Sequence, residues 1–180
     1  MTSDETTGNG RVLSEDQQRV RDYLVNQGTE HDWVDLWPRF VQERGNLIRS
    51  TERVSEAQAD FKPDAESWSI REILEHVLNV SRTGMRRIED LAAGREPAAS
   101  EPGRMPTKFT MLRRHLTEHS IRYSALLERL PPTPNYTLTA PHGAFGELNC
   151  LSWFVFERVH DTDHLKQIEA VRSAEGYPDA

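Results

Sequence analysis

His160 and His164 stand four residues apart in "FERVHDTDHLKQIEAV", residues 156–171. At ~100° per residue, positions i and i+4 differ by only ~40°, so both imidazoles share one face of a helix. Trp153 and Val171 fall on the same stripe, which turns the pair inward. Two inward imidazoles can ligate a metal, work as an acid/base pair, or rest as buried histidines bonded to carboxylates or backbone. His76, in "WSIREILEHVLNV", bears on that choice. Ile73, Val77 and Val80 flank it, so it too points inward, from a second helix. Three neutral imidazoles with one open position form a common catalytic site for a divalent metal. Zn, Ni, Co and Fe(II) all suit such ligands, and the residue types do not choose among them.

Other groups compete for a role. His115 and His119, in "RRHLTEHS", repeat the four-residue spacing, but His115 sits in a basic, exposed-looking neighbourhood. Direction therefore favours the 160/164 pair. His142, in "APHGAFG", lies on a loop where it could border a cavity mouth, and His31 reads as surface. Glu157 precedes His160 by three and shares its side of the helix, where it could orient a ligand or relay a proton. The alternative for Glu157 is a surface carboxylate. Asp161 and Asp163 read as solvent-facing acids or partners of lysine or arginine. Trp68 and Trp153 read as core residues able to wall a pocket. The single cysteine, Cys150, reads as a small packed residue; it also excludes an internal disulfide and any Cys-rich zinc module.

The elements that must position these groups follow from periodicity and caps. "SEDQ" is a capping box opening a short helix over about 15–27, which Gly28 closes. A long helix is expected over 37–55, with Pro38 in its first turn and Phe40, Val41, Leu47, Ile48 and Val54 as its apolar stripe. Ser69 and Glu72 cap a second long helix over 70–93, ended by Gly94. "GREPAASEPGRMPT" is a crossover loop. A third helix spans 107–130, and Pro131 and Pro132 stop it. "TPNYTLTAPHGAFGELN" carries the chain's one strand-like alternation. A fourth long helix runs over 149–173. The expected architecture is all-α: a four-helix bundle with long crossover loops and a short extra N-terminal helix. Residues 1–13 are expected as a disordered polar tail and 14–180 as one domain.

Composition narrows the partners. The net charge is −7 over 180 residues, and the basic clusters "MRRIED" and "MLRRHL" read as solvated helix faces, so nucleic acid is not an expected partner. No apolar run approaches the ~20 residues of a membrane helix, and the polar, acidic start lacks the form of a signal peptide. A cytoplasmic protein without membrane contact is expected. An exposed apolar face on the first helix would make a homodimer.

Three segments together resemble the DinB/YfiT-like superfamily of small metal-binding four-helix-bundle proteins. They are "FKPDAESWSIREILEHV", "PHGAFGELNCLSW" and "HDTDHLKQI". In the second, proline precedes the histidine, unlike the family's pattern. The likeness spans about residues 36–178. It implies His76, His160 and His164 as the metal ligands and leaves His115 and His119 outside the site. Members with a known reaction include thiol-dependent S-transferases and an isomerase that use low-molecular-weight thiols. The resemblance therefore implies a metal-dependent enzyme that transfers such a thiol to a small electrophilic substrate. The alternatives are a metal-dependent hydrolase and a metal-stabilised, non-catalytic binding or stress-response module.

Overall fold

A computed structural model describes residues 13–98 and 103–179; the expected N-terminal tail lies outside them apart from Leu13. The protein is mostly helical. In chain order the elements are α1 (Glu15–Glu30), α2 (Trp33–Ser50), α3 (Glu56–Asp60), α4 (Ile70–Ala92), α5 (Phe109–Ser124), α6 (Leu126–Arg129), β1 (Thr139–His142), β2 (Gly146–Asn149) and α7 (Cys150–Arg172). The strands form one antiparallel hairpin in which Thr139 faces Asn149 and His142 faces Gly146. α7 packs against α1, α2 and α4, and α5 packs against α2 and α4.

Local chemistry sets most boundaries. Ser14 and Gln17 form the expected capping box, as do Ser69 and Glu72, each pair satisfying two backbone N–H groups that a helix start leaves free. Asn149 caps α7 by accepting from Ser152 N. Gly94, with φ 71°, sits just past α4 in the left-handed conformation that glycine adopts without steric cost.

Several boundaries differ from expectation, and α2 ends at Ser50 rather than near 55. α2 begins at Trp33 because Asp32 accepts from both Val34 N and Asp35 N; the cap outweighs the proline signal, and Pro38 lies inside the helix. Gly28 does not end α1. It sits inside the helix, where an added Cβ would stand 3.1 Å from Ser152 Oγ, so the residue permits close approach of α1 to α7. The expected third helix divides at Ala125 into α5 and α6.

Apolar side chains gather in two cores. One joins Leu24, Trp33, Phe40, Ile88, Tyr123 and Phe154; the other joins Leu47, Ile73, Leu74, Phe109, Leu112 and Ile168. Between them runs a buried polar layer built by four helices: Arg44 from α2, Ser81 from α4, His119 from α5, and Glu157 and Asp161 from α7. Arg44 grips Asp161 with two parallel bonds, Nε–Oδ2 at 2.6 Å and Nη2–Oδ1 at 3.0 Å, and its Nη1 donates to Ser81 Oγ at 3.0 Å. This fork fits a carboxylate in geometry and charge, which lets both ions remain buried.

Candidate metal centre

His76 comes from α4, and His160 and His164 come from successive turns of α7. Their ring nitrogens converge: His160 Nε2 stands 3.0 Å from His76 Nε2 and 3.0 Å from His164 Nε2. The three candidate ligand atoms all lie within 4.8 Å of one another, and no other histidine, cysteine or carboxylate joins the group among the described residues. The spacing predicted from residues four apart on one helix, plus one on its neighbour, is the arrangement found.

The donor set fits a divalent cation. Burial, then the two neighbouring imidazoles, push His160 down to about 2, and burial first also lowers His76 and His164. All three are therefore neutral and carry a lone pair. A neutral imidazole nitrogen offers one hydrogen or one lone pair, so His160 Nε2 cannot satisfy both neighbours at 3.0 Å by hydrogen bonding. A cation shared by all three resolves the conflict: tetrahedral Zn–N bonds imply N–N separations of ~3.3 Å, close to those observed.

One outer contact fixes this geometry. His164 Nδ1 donates to Gln167 Oε1 at 2.7 Å, which leaves its Nε2 lone pair facing the other two rings. Gln167 was not singled out from sequence, although its position three after His164 places it on the same side of the helix. Trp68 is 44% exposed and lies against the cluster, stacked parallel to His164 with centroids 6.2 Å apart and edge-on to His76 at 5.1 Å. It walls the site rather than filling the core.

A cavity of about 580 Å³ opens beside the triad. His76, His160 and His164 line it, with Val80, Thr83, Arg87, His142, Phe145, Trp153, Phe156 and Asp163 among the other walls. His142 therefore faces the space that the sequence suggested it borders. It stacks on Phe145 at 4.7 Å, and burial followed by Arg87 lowers it to about 4, so it is neutral. Arg87 departs from expectation: it lines this cavity, whereas "MRRIED" had read as a solvated face.

The remaining candidates lie elsewhere. His119 belongs to the polar layer, where Ser81 Oγ lies 3.5 Å from its Nδ1, and His115 stands outside the triad. Glu157 is fully buried and not a surface carboxylate. It lies 3.7 Å from Arg44, and no hydrogen bond links it to the three imidazoles. Gly84 makes the room: a Cβ there would fall 1.9 Å from Glu157 Oε1. Asp161 is buried on Arg44, while Asp163 is exposed and 3.4 Å from Lys166. Cys150 is buried, donates to the Asn135 carbonyl at 3.2 Å, and burial pushes its thiol up to about 11, which excludes a ready nucleophile.

Three neutral histidines thus converge from two adjacent helices of a mostly helical protein, beside a cavity, in an arrangement that could hold a metal ion. The DinB superfamily model matches residues 39–168, most of the chain, and the protein belongs to that superfamily. It is similar to the uncharacterized protein YuaE of Bacillus subtilis (strain 168), 25% identical over 154 residues that cover 74% of this chain and 94% of that one. No solved structure matches.

Proposed function

We propose that the protein is a divalent-metal enzyme that transfers a low-molecular-weight thiol to a small electrophilic substrate, with His76, His160 and His164 as its ligands. The observation that carries the reading is the open side of the triad: three ligands and no fourth among the described residues, beside a cavity large enough for a small molecule. A closed, four-ligand site would instead favour a structural metal. Held by His76, His160 and His164, a divalent cation would keep its full charge and would supply the means to acidify a bound thiol near neutral pH.

The chain's own residues do the rest. Gln167 holds the His164 ring with its free nitrogen toward the other two. Trp68 covers one side of the triad and limits access of water from that direction. Phe145, Phe156 and Trp153 present an apolar wall to the substrate body. The four long helices α2, α4, α5 and α7, read as one bundle, supply the rigid frame; the proposed location is the cytoplasm, where low-molecular-weight thiols are kept reduced.

The test begins with metal content by plasma mass spectrometry on untagged protein, beside a His76→Ala, His160→Ala double variant. Near-stoichiometric metal in the wild type and none in the variant is expected. Thiol-conjugation assays with and without that metal follow, against an ester-hydrolysis control. Metal-dependent thiol consumption supports the transferase; hydrolysis without thiol replaces it with a hydrolase. No metal after supply of Zn, Ni, Co or Fe(II) ends the enzyme reading.

A further inference from the structure

Among the described residues lining the cavity beside the triad, Arg87 is the one cation and makes no ion pair; the one carboxylate, Asp163, lies next to the triad ligand His164 in sequence and is 3.4 Å from Lys166. Arg87 Cζ lies 4.2 Å from the centroid of the Trp153 ring, which supports the guanidinium face. Its edge makes no hydrogen bond and no ion pair with the described residues. Other arginines with buried or half-buried heads are held by carboxylates, Arg44 by Asp161 and Arg71 by Asp60 and Glu56, whereas Arg86 and Arg122 are unpaired among the described residues like Arg87 but do not line the cavity. Arg87 is half-buried, and burial lowers its pKa, with Glu157 as the one opposing charge. Burial pushes the Glu157 carboxyl up, and no hydrogen bond or ion pair joins it to Arg87. A supported guanidinium face with free edge donors is a preorganised fork for a planar anion.

Placement gives the ligand a length. His76, Val80, Thr83 and Arg87 fall at i, i+4, i+7 and i+11 on α4, a single stripe that lines the cavity. Eleven residues rise ~16 Å along a helix, and side chains lean toward the N-terminus, so the arginine reaches back toward the triad. The walls between them are apolar and aromatic: Val80, Phe145, Trp153 and Phe156. Among the described lining residues there is no lysine, and Asp163 is an acid, so the lining fits one negative charge at Arg87 better than the two of a phosphate monoester.

We propose that Arg87 is a substrate-recognition residue, and that the cavity takes a small molecule with a terminal carboxylate, an apolar or aromatic body, and its reacting end at the histidine triad. This rests on the reading of the same cavity as the substrate site, and it names the class of substrate.

Calorimetry with 4-phenylbutyrate and its uncharged amide tests the assignment, on wild type, Arg87→Gln and His160→Ala, each as purified and after zinc loading. A charge-assisted fork is worth ~1.5–3 kcal/mol, or about 10- to 100-fold in affinity. The carboxylate should bind the wild type tighter than the amide by that factor. The preference should fall to near unity in Arg87→Gln, with the amide unaffected, and should survive in His160→Ala. Arg87→Lys keeps a cation without the fork and serves as the folded control, with an intermediate preference expected. Equal binding of acid and amide by the wild type, or no binding of either, overturns the proposal. A preference that survives Arg87→Gln but disappears in His160→Ala puts the carboxylate on the metal; that overturns Arg87 and leaves the metal centre standing. An Arg87-dependent preference in a protein that takes up no zinc does the reverse.

Discussion

His164 is useful as a ligand only while one of its nitrogens is held elsewhere. Gln167 does this through a single 2.7 Å bond to Nδ1. Contacts of this kind tune affinity by about 10- to 100-fold. Gln167→Ala should therefore weaken zinc binding by that factor, measured by competition with a chelator, with the helical circular dichroism spectrum unchanged; equal affinity would leave the ring oriented by packing alone. Glu157 allows a second prediction at this scale. Burial raises its folded pKa from 4.5 to about 8, partly opposed by Arg44 and reinforced by Asp161. The native carboxyl thus keeps a proton that the unfolded chain releases above pH 4.5. Its contribution to stability is present below pH 4.5 and is lost as pH rises through 8. Urea denaturation from pH 5 to 9 should show stability falling with pH by an amount on the order of a few kcal/mol, and Glu157→Gln should flatten that slope.

The buried polar layer fixes how the helices meet. Asp161 and Arg44 join α7 to α2, and Arg44 with Ser81 joins α2 to α4, the helix that carries His76. Because His160 and His164 flank Asp161 in sequence, the same contact sets the rotation of α7 that turns both imidazoles toward His76. Asp161→Ala removes the two-bond fork from a buried guanidinium and leaves it only Ser81 and the Glu157 carboxyl at 3.7 Å; it should cost ~3–5 kcal/mol in denaturant unfolding, and a loss below ~1 kcal/mol would show that Glu157 or water takes over the fork. Much of this scale was legible in sequence. The boxes at Ser14 and Ser69, the stop at Gly94, and the long helix over 149–173 are local signals, and the structure follows them. The start of α2 was misread because Asp32 lies in a polar stretch that resembles a connector, while Pro38 mimics a first-turn residue. The polar layer was not legible. Arg44, Ser81, His119 and Asp161 lie far apart in the chain, and none of them reveals its partner until the helices are packed, although His119 falls near the edge of its helix's apolar stripe. The same holds for Arg87, whose neighbours in "MRRIED" suggest solvent, whereas the three histidines stand out through inward direction and the family resemblance, since the four-residue spacing is shared with His115 and His119.

The whole molecule divides into two apolar cores with charge between them, and the triad opens from the side of that belt. A cation bound there ties α4 to α7, the two elements that share the site. Ligand binding to the native state alone stabilises by ~2.7 kcal/mol at one hundred times Kd. For a chain of this size that corresponds to a rise in Tm of about 5–10 °C. Differential scanning fluorimetry should show this shift with zinc in the wild type and not in the His76→Ala, His160→Ala variant; a shift in both would place the zinc elsewhere. The belt also constrains how the sequence can change over generations. Gly84 has no side chain because the Glu157 carboxyl occupies that space. Neither position is free to drift alone: a larger residue at 84 is tolerated only after 157 has shortened, and a shortened 157 leaves a void that selection fills from 84. In an alignment of descendants these two positions, 73 apart in the chain, should change together or not at all.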